Sequence, residues 1–192
     1  MEAIRLVVGL GNPGREYEDT RHNVGFWWVE ALARAHGLSF RTEPKFHGLL
    51  ARGTIHGQEV LLLKPATYMN RSGQAVGAVA QFYKVLPGQM LVVHDELDLP
   101  PGTAKLKTGG GHGGHNGLRD IIAHLGSRDF WRLRLGIGHP GDKAQVANFV
   151  LHAPGREERA AMDIAMENAA RVSGQILEGK LEAAMLKLHS AK

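Results

Sequence analysis

Four clusters of polar residues in this chain have the residue types and positions that chemistry in a ligand crevice requires. Each cluster follows an apolar run or lies in a loop, where α/β proteins commonly hold their functional groups. The clusters are Asn12, Tyr17 and His22; Tyr68, Met69 and Asn70; His94, Asp95 and Glu96; and His112, His115 and Asn116. We expect them to line one edge of a sheet and to form a polar crevice there.

His22 is the candidate general base of this crevice, because an imidazole with a pKa of about 6.5 is largely neutral at working pH. Asp95 can hold the other ring nitrogen and favour the developing imidazolium, as the acid of a hydrolase triad does. The chain contains no cysteine, and Ser72 lacks the preceding glycine of a G-x-S-x-G elbow. Water is therefore the expected nucleophile.

Asparagine side chains supply the neutral hydrogen-bonding groups of the same clusters. Asn12, Asn70 and Asn116 can both donate and accept, so they suit a carbonyl group or a peptide backbone better than a charged group. A single base with neutral donors matches an activated ester better than a plain amide. Taken individually, each of these asparagines could instead form an ordinary loop turn.

The glycines after the first apolar run offer a different interpretation, because Gly9, Gly11 and Gly14 match the dinucleotide fingerprint G-x-G-x-x-G. That fingerprint requires a helix directly after the glycines, with its N-terminus facing the pyrophosphate. Here the first apolar helical stripe begins near Val24, and Pro13 lacks a backbone amide. The pattern favours a sharp turn, and a dinucleotide-binding enzyme remains an alternative.

Two pairs of residues invite a metal interpretation, namely His112 with His115 and His94 with Asp95. The two loop histidines lack the i, i+4 helical geometry of an H-E-x-x-H site. Glycines on both sides give them little preorganisation. We therefore predict that the protein uses neither a metal ion nor a cofactor.

Alternating basic residues predict a surface for an anionic partner. In a strand, Lys105 and Lys107 would project from one face about 6.5–7 Å apart, a spacing that suits successive phosphates. Arg132 and Arg134 repeat this pattern. Lysines that protect a solvated edge strand are the alternative explanation.

Composition limits the class of protein. The 192 residues suit one domain, which we expect to span 1–192. The net charge of +4 permits an RNA partner without requiring one. The absence of cysteine fits a reducing compartment, and neither a signal peptide nor a membrane-spanning run is evident. We therefore expect a cytoplasmic protein.

Hydrophobic periodicity predicts alternating strands and helices. The expected strands are 4–9, 47–55, 58–64, 90–95, 102–108 and 131–137. The expected helices are 24–36, 70–84, 116–125, a short one near 144–151, 156–177 and 180–188. Because residues 47–64 form a hairpin around His56-Gly57, the predicted fold is a single α/β domain with a twisted mixed β-sheet flanked by helices.

Five segments together closely resemble the bacterial peptidyl-tRNA hydrolases. They are GLGNPGREYEDTRHNVG, KPATYMNRSG, HDELDLPPG, KLKTGGGHGGHNGLRDI and RLRLGIGHPG, in order between about residue 4 and about residue 151. The resemblance implies a phosphorylase/hydrolase-like fold and a monomeric, metal-independent esterase. Such an enzyme cleaves the ester between a peptide and the 3′ ribose of tRNA, and so recycles tRNA from prematurely released peptidyl-tRNA.

The resemblance also implies roles for individual residues. His22 matches the family's general base, Asp95 the residue that supports it, and Asn12 the asparagine that helps distinguish blocked from free aminoacyl groups. The positions that match substrate-binding or tRNA-binding residues are Tyr17, Tyr68, Asn70, Asn116, Lys105, Lys107 and Arg134. His115 belongs to the glycine-loop motif without a firm role. A non-catalytic RNA-binding module that uses the same basic strand remains the other alternative.

Overall fold

A mixed seven-stranded sheet forms the centre of the protein, whose residues 2–191 are described by a computed structural model. Its strands are β1 (Leu6–Gly9), β2 (Arg41–Glu43), β3 (Gly48–Ile55), β4 (Gln58–Pro65), β5 (Met90–Glu96), β6 (Ala104–Thr108) and β7 (Trp131–Gly136). They lie in the order β2-β3-β4-β1-β5-β7-β6. Strands β4, β1, β5 and β7 are parallel, whereas β3 and β6 run antiparallel to them. The predicted mixed sheet is confirmed.

Helices cover both faces of the sheet. They are α1 (Val24–Ala35), α2 (Ser72–Tyr83), α3 (Asn116–Leu125), α4 (Val146–Val150), α5 (Arg156–Arg171), α6 (Ser173–Leu177) and α7 (Leu181–His189). Helices α1, α5, α6 and α7 pack on one face, around buried residues such as Val7 and Leu133. Helices α2 and α3 pack on the other face, around Val8 and Phe130. Within residues 2–191, no helix has the length and apolar character needed to span a bilayer.

The structure differs from the sequence prediction at several element boundaries. The expected helix 156–177 is divided at Val172 into α5 and α6, next to the point where the Ser173 hydroxyl donates to the Ala170 carbonyl oxygen at 2.7 Å. Strand β6 begins at Ala104 rather than at residue 102, because Gly102 has a φ of 102° and lies in a turn. Strand β2 escapes prediction because its residues are polar and mostly exposed.

The C-terminal helix α7 packs along the outer edge of β6. Apolar residues on its inner side are buried against the sheet. The Leu106 backbone N–H of β6 donates to Nε2 of His189 at 3.1 Å, so this ring nitrogen carries no proton. Partial burial, together with the charges of Lys105 and Arg134, lowers the pKa of His189 and keeps the ring neutral.

Candidate active site

Polar side chains from the four predicted clusters meet beyond the carboxyl ends of β1, β4 and β5. The first cluster follows β1, the second follows β4, and the third ends β5. Because these strands are parallel and adjacent, their carboxyl ends lie at one edge of the sheet. The glycine loop reaches the same edge through His115, which contacts Asp95. Contacts among the four clusters therefore bring them together at one edge of the sheet, and we call this region the crevice.

The loop after β1 leads to His22 and packs tightly against helix α1. A Cβ atom on Gly9 would overlap the Gly25 carbonyl oxygen, and one on Gly11 would lie 2.7 Å from the Phe26 ring. The glycines therefore allow close packing on α1 and do not open a helix of their own. Without a helix N-terminus directed at a pyrophosphate, the dinucleotide interpretation loses its structural basis.

Asp95 lies between two histidines and accepts a hydrogen bond from each. His22 Nδ1 lies 2.8 Å from Oδ2, and His115 Nε2 lies 2.8 Å from Oδ1. All three side chains are largely buried. Because an ionised carboxylate only accepts hydrogen bonds, both of these ring nitrogens carry protons. The other nitrogen of the neutral His22 ring, Nε2, is then unprotonated, as a general base requires.

His115 also fixes the start of helix α3. Its Nδ1 accepts the Leu118 backbone N–H at 3.3 Å and so caps this helix. One tautomer satisfies both contacts, because Nε2 donates to Asp95 while Nδ1 accepts. His115 thus connects the helix that begins at Asn116 to the carboxylate that contacts His22.

Asp95 and His22 stabilise each other's charged forms. Burial alone would lower the pKa of His22, but the charge and hydrogen bond of Asp95 raise it above the ordinary value of 6.5. Burial alone would raise the pKa of Asp95, but the charges and hydrogen bonds of His22 and His115 hold it well below its usual range. Asp95 is therefore ionised at neutral pH, and His22 gains basicity from it.

The neighbouring His94 is unsuited to proton transfer at neutral pH. It is only 2% exposed, and its Nδ1–H donates to the Asp95 carbonyl oxygen at 2.8 Å. Burial, with a further contribution from the nearby His115, lowers the pKa of His94 to about 3. The ring is neutral, and its hydrogen bond holds the end of β5 in place.

Asn12 is held through both its backbone and its side chain. The Met69 backbone N–H donates to Asn12 Oδ1 at 2.7 Å, which connects the first and second clusters. The side-chain amide of Asn23 bonds the Asn12 backbone N–H and carbonyl at 2.8 and 2.9 Å. These contacts engage Oδ1 and leave the Nδ2 group of Asn12 as a donor for a ligand. Sequence reasoning overlooks Asn23, which is buried and immediately precedes α1.

The remaining residues predicted to bind substrate form an exposed rim. Tyr17 and Tyr68 meet edge to face with ring centroids 6.2 Å apart, and Tyr68 is 57% exposed. Asn70 and Asn116 are exposed as well, each in the first turn of helical structure after its loop. Their amide groups can therefore reach a ligand without first breaking a buried contact.

Arg21, which sequence reasoning also overlooks, secures the segment that carries His22. Its guanidinium donates to the carbonyl oxygens of Phe149 and His152 and to Glu158 Oε1 at 3.1 Å. The same group lies 3.9 Å above the centre of the Phe149 ring. Helices α4 and α5 are thereby tied to the residue that precedes the candidate base. No local pattern reveals this role, because the nearest partner lies 128 residues away in sequence.

Three groups of the crevice could also ligate a metal. Ligand atoms of His22, Asp95 and His115 all lie within 4.8 Å of one another. The two hydrogen bonds to Asp95 account for this closeness. His112, the other histidine of the glycine loop, accepts the Gly114 N–H through Nδ1 at 3.0 Å and so takes part in the loop's own bonding.

Strands β6 and β7 place four basic residues on one face of the sheet. Lys105 lies opposite Arg134, and Lys107 lies opposite Arg132. Lys107 is exposed and Lys105 half-buried, while Arg134 lies 3.7 Å from Glu96. Arg132 shares the sequence spacing of Arg134 but is only 2% exposed, so it does not belong to the accessible part of this face. The accessible basic surface consists of Lys105, Lys107 and Arg134.

The mixed α/β sheet, with a histidine–carboxylate pair beyond its strand ends, defines this protein as a hydrolase. A family model described as peptidyl-tRNA hydrolase matches residues 6–192. The chain belongs to the peptidyl-tRNA hydrolase family and is an enzyme that hydrolyses an ester bond.

Similarity to individual proteins extends over the whole chain. The chain is 60% identical over 190 residues to a peptidyl-tRNA hydrolase of Methylobacillus flagellatus, which covers 99% of this chain and 98% of that protein. The crystal structure of the Acinetobacter baumannii peptidyl-tRNA hydrolase matches with a TM-score of 0.98 at 50% identity, covering 100% of this chain and 97% of that one. The crystal structure of a peptidyl-tRNA hydrolase in complex with N-propanol matches with a TM-score of 0.96 at 50% identity, covering 98% of this chain and 96% of that one. The family predicted from the five sequence segments is confirmed.

Proposed function

We propose that this enzyme hydrolyses the ester between a peptide and the 3′ ribose of tRNA, using water activated by His22. The observation that carries the mechanism is the 2.8 Å hydrogen bond between His22 Nδ1 and Asp95 Oδ2 in the crevice. This bond leaves Nε2 unprotonated and puts a buried negative charge beside the imidazolium that forms. Family membership supports the substrate class.

In the proposed reaction, His22 Nε2 takes a proton from water while the water oxygen attacks the ester carbonyl carbon. The carbonyl π electrons move onto oxygen, and the Nδ2 group of Asn12 donates a hydrogen bond to the developing oxyanion. The tetrahedral intermediate then expels the 3′ ribose oxygen, which receives the proton from His22. The products are a free peptide acid and a tRNA with a 3′ hydroxyl.

The neutral groups around the crevice support selectivity for substrates with a blocked α-amino group. The amides of Asn70 and Asn116 can bond a peptide backbone. The Asp95 carboxylate is almost fully buried and already bonds two histidines, which keeps it away from a free ammonium at the surface. A free ammonium would then lose its hydration without gaining a partner, which disfavours binding of unblocked aminoacyl-tRNA.

The proposed function is tested by offering the enzyme N-acetyl-aminoacyl-tRNA and the unacetylated form, both with EDTA present. We expect cleavage of the acetylated ester to be at least about 100-fold faster, because the unblocked amine is rejected. Equal cleavage of both forms would contradict the proposed selectivity. Loss of activity with EDTA would contradict metal independence. Binding of tRNA without cleavage would favour the non-catalytic RNA-binding module.

The accessible basic surface makes a separate prediction about tRNA affinity. Changing Lys105, Lys107 or Arg134 to glutamine should raise KM for tRNA substrates and leave kcat nearly unchanged, because these residues contact phosphate and not the ester. Each lost contact should reduce the slope of log affinity against log salt by about 0.7–0.9. Fluorescence titration of labelled tRNA at several salt concentrations measures this slope. The exposed Lys45, on the far side of the sheet near β3, gives the matched control variant K45Q; equal losses in K45Q would argue against a local phosphate site.

We also propose that the enzyme acts as a monomer in the cytoplasm. The proposed substrate supports a cytoplasmic location, because peptidyl-tRNA arises where translation takes place. The monomeric state is supported by the composition of the site, since one chain supplies the base, its carboxylate and the accessible basic surface.

A further inference from the structure

The glycine loop, residues 109–114, has few bonds of its own in its first half, since its internal bonds involve His112. Five of its six residues are glycine. Four of these, Gly109, Gly110, Gly113 and Gly114, have positive φ angles. Glycine chains lose more conformational freedom on folding than others, so such a loop is ordered only where outside groups hold it. The loop nevertheless leads directly to His115 and Asn116 of the crevice.

The buried Arg132 side chain is the group that holds the first half of this loop. Its Nη1 donates to the Gly111 carbonyl oxygen, and its Nη2 donates to the Gly110 carbonyl oxygen at 2.7 Å. A third bond, at 3.4 Å, joins Nη2 to the Arg128 carbonyl oxygen. The guanidinium also lies 4.6 Å from the centre of the Phe130 ring. A planar fork of donors matches two successive carbonyl groups in a way that a lysine ammonium cannot.

Burial separates Arg132 from the residues that bind phosphate. It is 2% exposed, whereas its cross-strand neighbour Lys107 is open to solvent. The two are nonetheless connected through the loop, because a Cβ placed on Gly110 would lie 2.8 Å from Lys107 Nζ. The loop therefore lies against Lys107 on one side and leads to His115 on the other.

We propose that Arg132 is a positioning residue for catalysis, which sets the glycine loop so that His115 holds Asp95 and Asn116 reaches the crevice. The loop is held by the backbone bond from Gly109 N–H to the Phe130 carbonyl oxygen, by Arg132 at Gly110 and Gly111, and by the His115–Asp95 hydrogen bond at its end. Arg132 is buried and bonds the loop backbone, so in this proposal it acts through the loop. This inference rests on the proposed catalytic site.

The test compares Arg132→Met and Arg132→Lys with the wild-type enzyme on N-acetyl-aminoacyl-tRNA. Single-turnover cleavage at saturating enzyme isolates the chemical step from tRNA binding. We expect the rate to fall by about 10- to 100-fold in Arg132→Met, since a displacement of about 1 Å in a catalytic group costs that much. Arg132→Lys should also be slow although it keeps the positive charge. Uncharged tRNA should bind both variants with the wild-type salt slope, because Arg132 contacts no phosphate.

Arg128→Met is the matched control, because this neighbouring arginine is exposed and only its carbonyl oxygen contacts Arg132. It should keep the wild-type single-turnover rate. Rates are compared on the folded fraction, determined by circular dichroism at the assay temperature. A variant that loses thermal stability but keeps its rate would show a merely structural role and overturn the proposal. A normal rate with a reduced salt slope would identify a phosphate contact and overturn it as well.

Failure of this inference is distinguishable from failure of the proposed function. If His22→Ala retains full activity, the catalytic site itself is wrong. If His22→Ala is inactive while Arg132→Met and Arg132→Lys react at the wild-type rate, only the role of Arg132 is wrong.

Discussion

Replacing His22 by alanine is expected to reduce kcat on N-acetyl-aminoacyl-tRNA by about 10²- to 10⁴-fold, the range that general-base assistance supplies. The substitution removes the imidazole that lies 2.8 Å from Asp95 and leaves water without a base. KM should change little, because the proposed tRNA contacts lie on the accessible basic surface and not at His22. Single-turnover cleavage at saturating enzyme measures the effect directly.

A histidine outside the crevice provides the control for this substitution. His139 is exposed and lies in the loop after β7, so His139→Ala should retain wild-type activity. Full turnover by His22→Ala, with circular dichroism unchanged, would remove the basis of the proposed mechanism. Equal losses in both variants would point to a general effect on the fold.

Replacing Asp95 by asparagine should produce the second large effect, a loss of about 10²-fold or more in kcat, because an amide no longer fixes the His22 tautomer or stabilises the imidazolium. It should also shift the pH profile. In the wild-type enzyme the carboxylate raises the pKa of His22 above 6.5. Without it, burial lowers the pKa of His22, so the base stays unprotonated down to a lower pH. The acidic limb of log kcat/KM should therefore move to lower pH although the plateau falls.

The pH profile separates a catalytic carboxylate from a structural one. The variant Asp98→Asn removes an exposed carboxylate shortly after β5 and should keep both the plateau and the position of the acidic limb. An Asp95→Asn enzyme whose plateau falls while its acidic limb stays in place would show that Asp95 does not set the pKa of His22. An acidic limb that moves to higher pH in Asp95→Asn would also show that Asp95 does not raise the pKa of His22.

The sequence predicts the architecture and the location of the crevice because both depend on local patterns. Apolar runs followed by polar residues indicate strands that end at a ligand site, and His56-Gly57 marks the hairpin between β3 and β4. In that turn both residues have positive φ, at 49° and 78°, as a tight two-residue turn requires. His22 and Asp95 can be paired from residue chemistry alone, although 73 positions separate them.

The details that escape prediction depend on contacts between distant segments. Arg132 and Arg134 have the same spacing and flank the same leucine, yet only Arg132 is buried, beneath the glycine loop. The sequence places His115 in the glycine-loop motif but does not predict its hydrogen bond to Asp95, because that bond depends on where α3 begins. The division between α5 and α6 at Val172 interrupts an apolar stripe that continues through both helices. The periodicity of apolar residues does not predict contacts of this kind.

The hydrogen bond between Leu106 and His189 has a consequence for how the protein behaves at high concentration. Strand β6 ends the sheet, and an end strand with free N–H groups is a template for pairing with a second molecule. Here the imidazole of His189, the last residue of α7, accepts the N–H group of Leu106. One fewer N–H group of β6 is then free to pair with a strand of a second molecule.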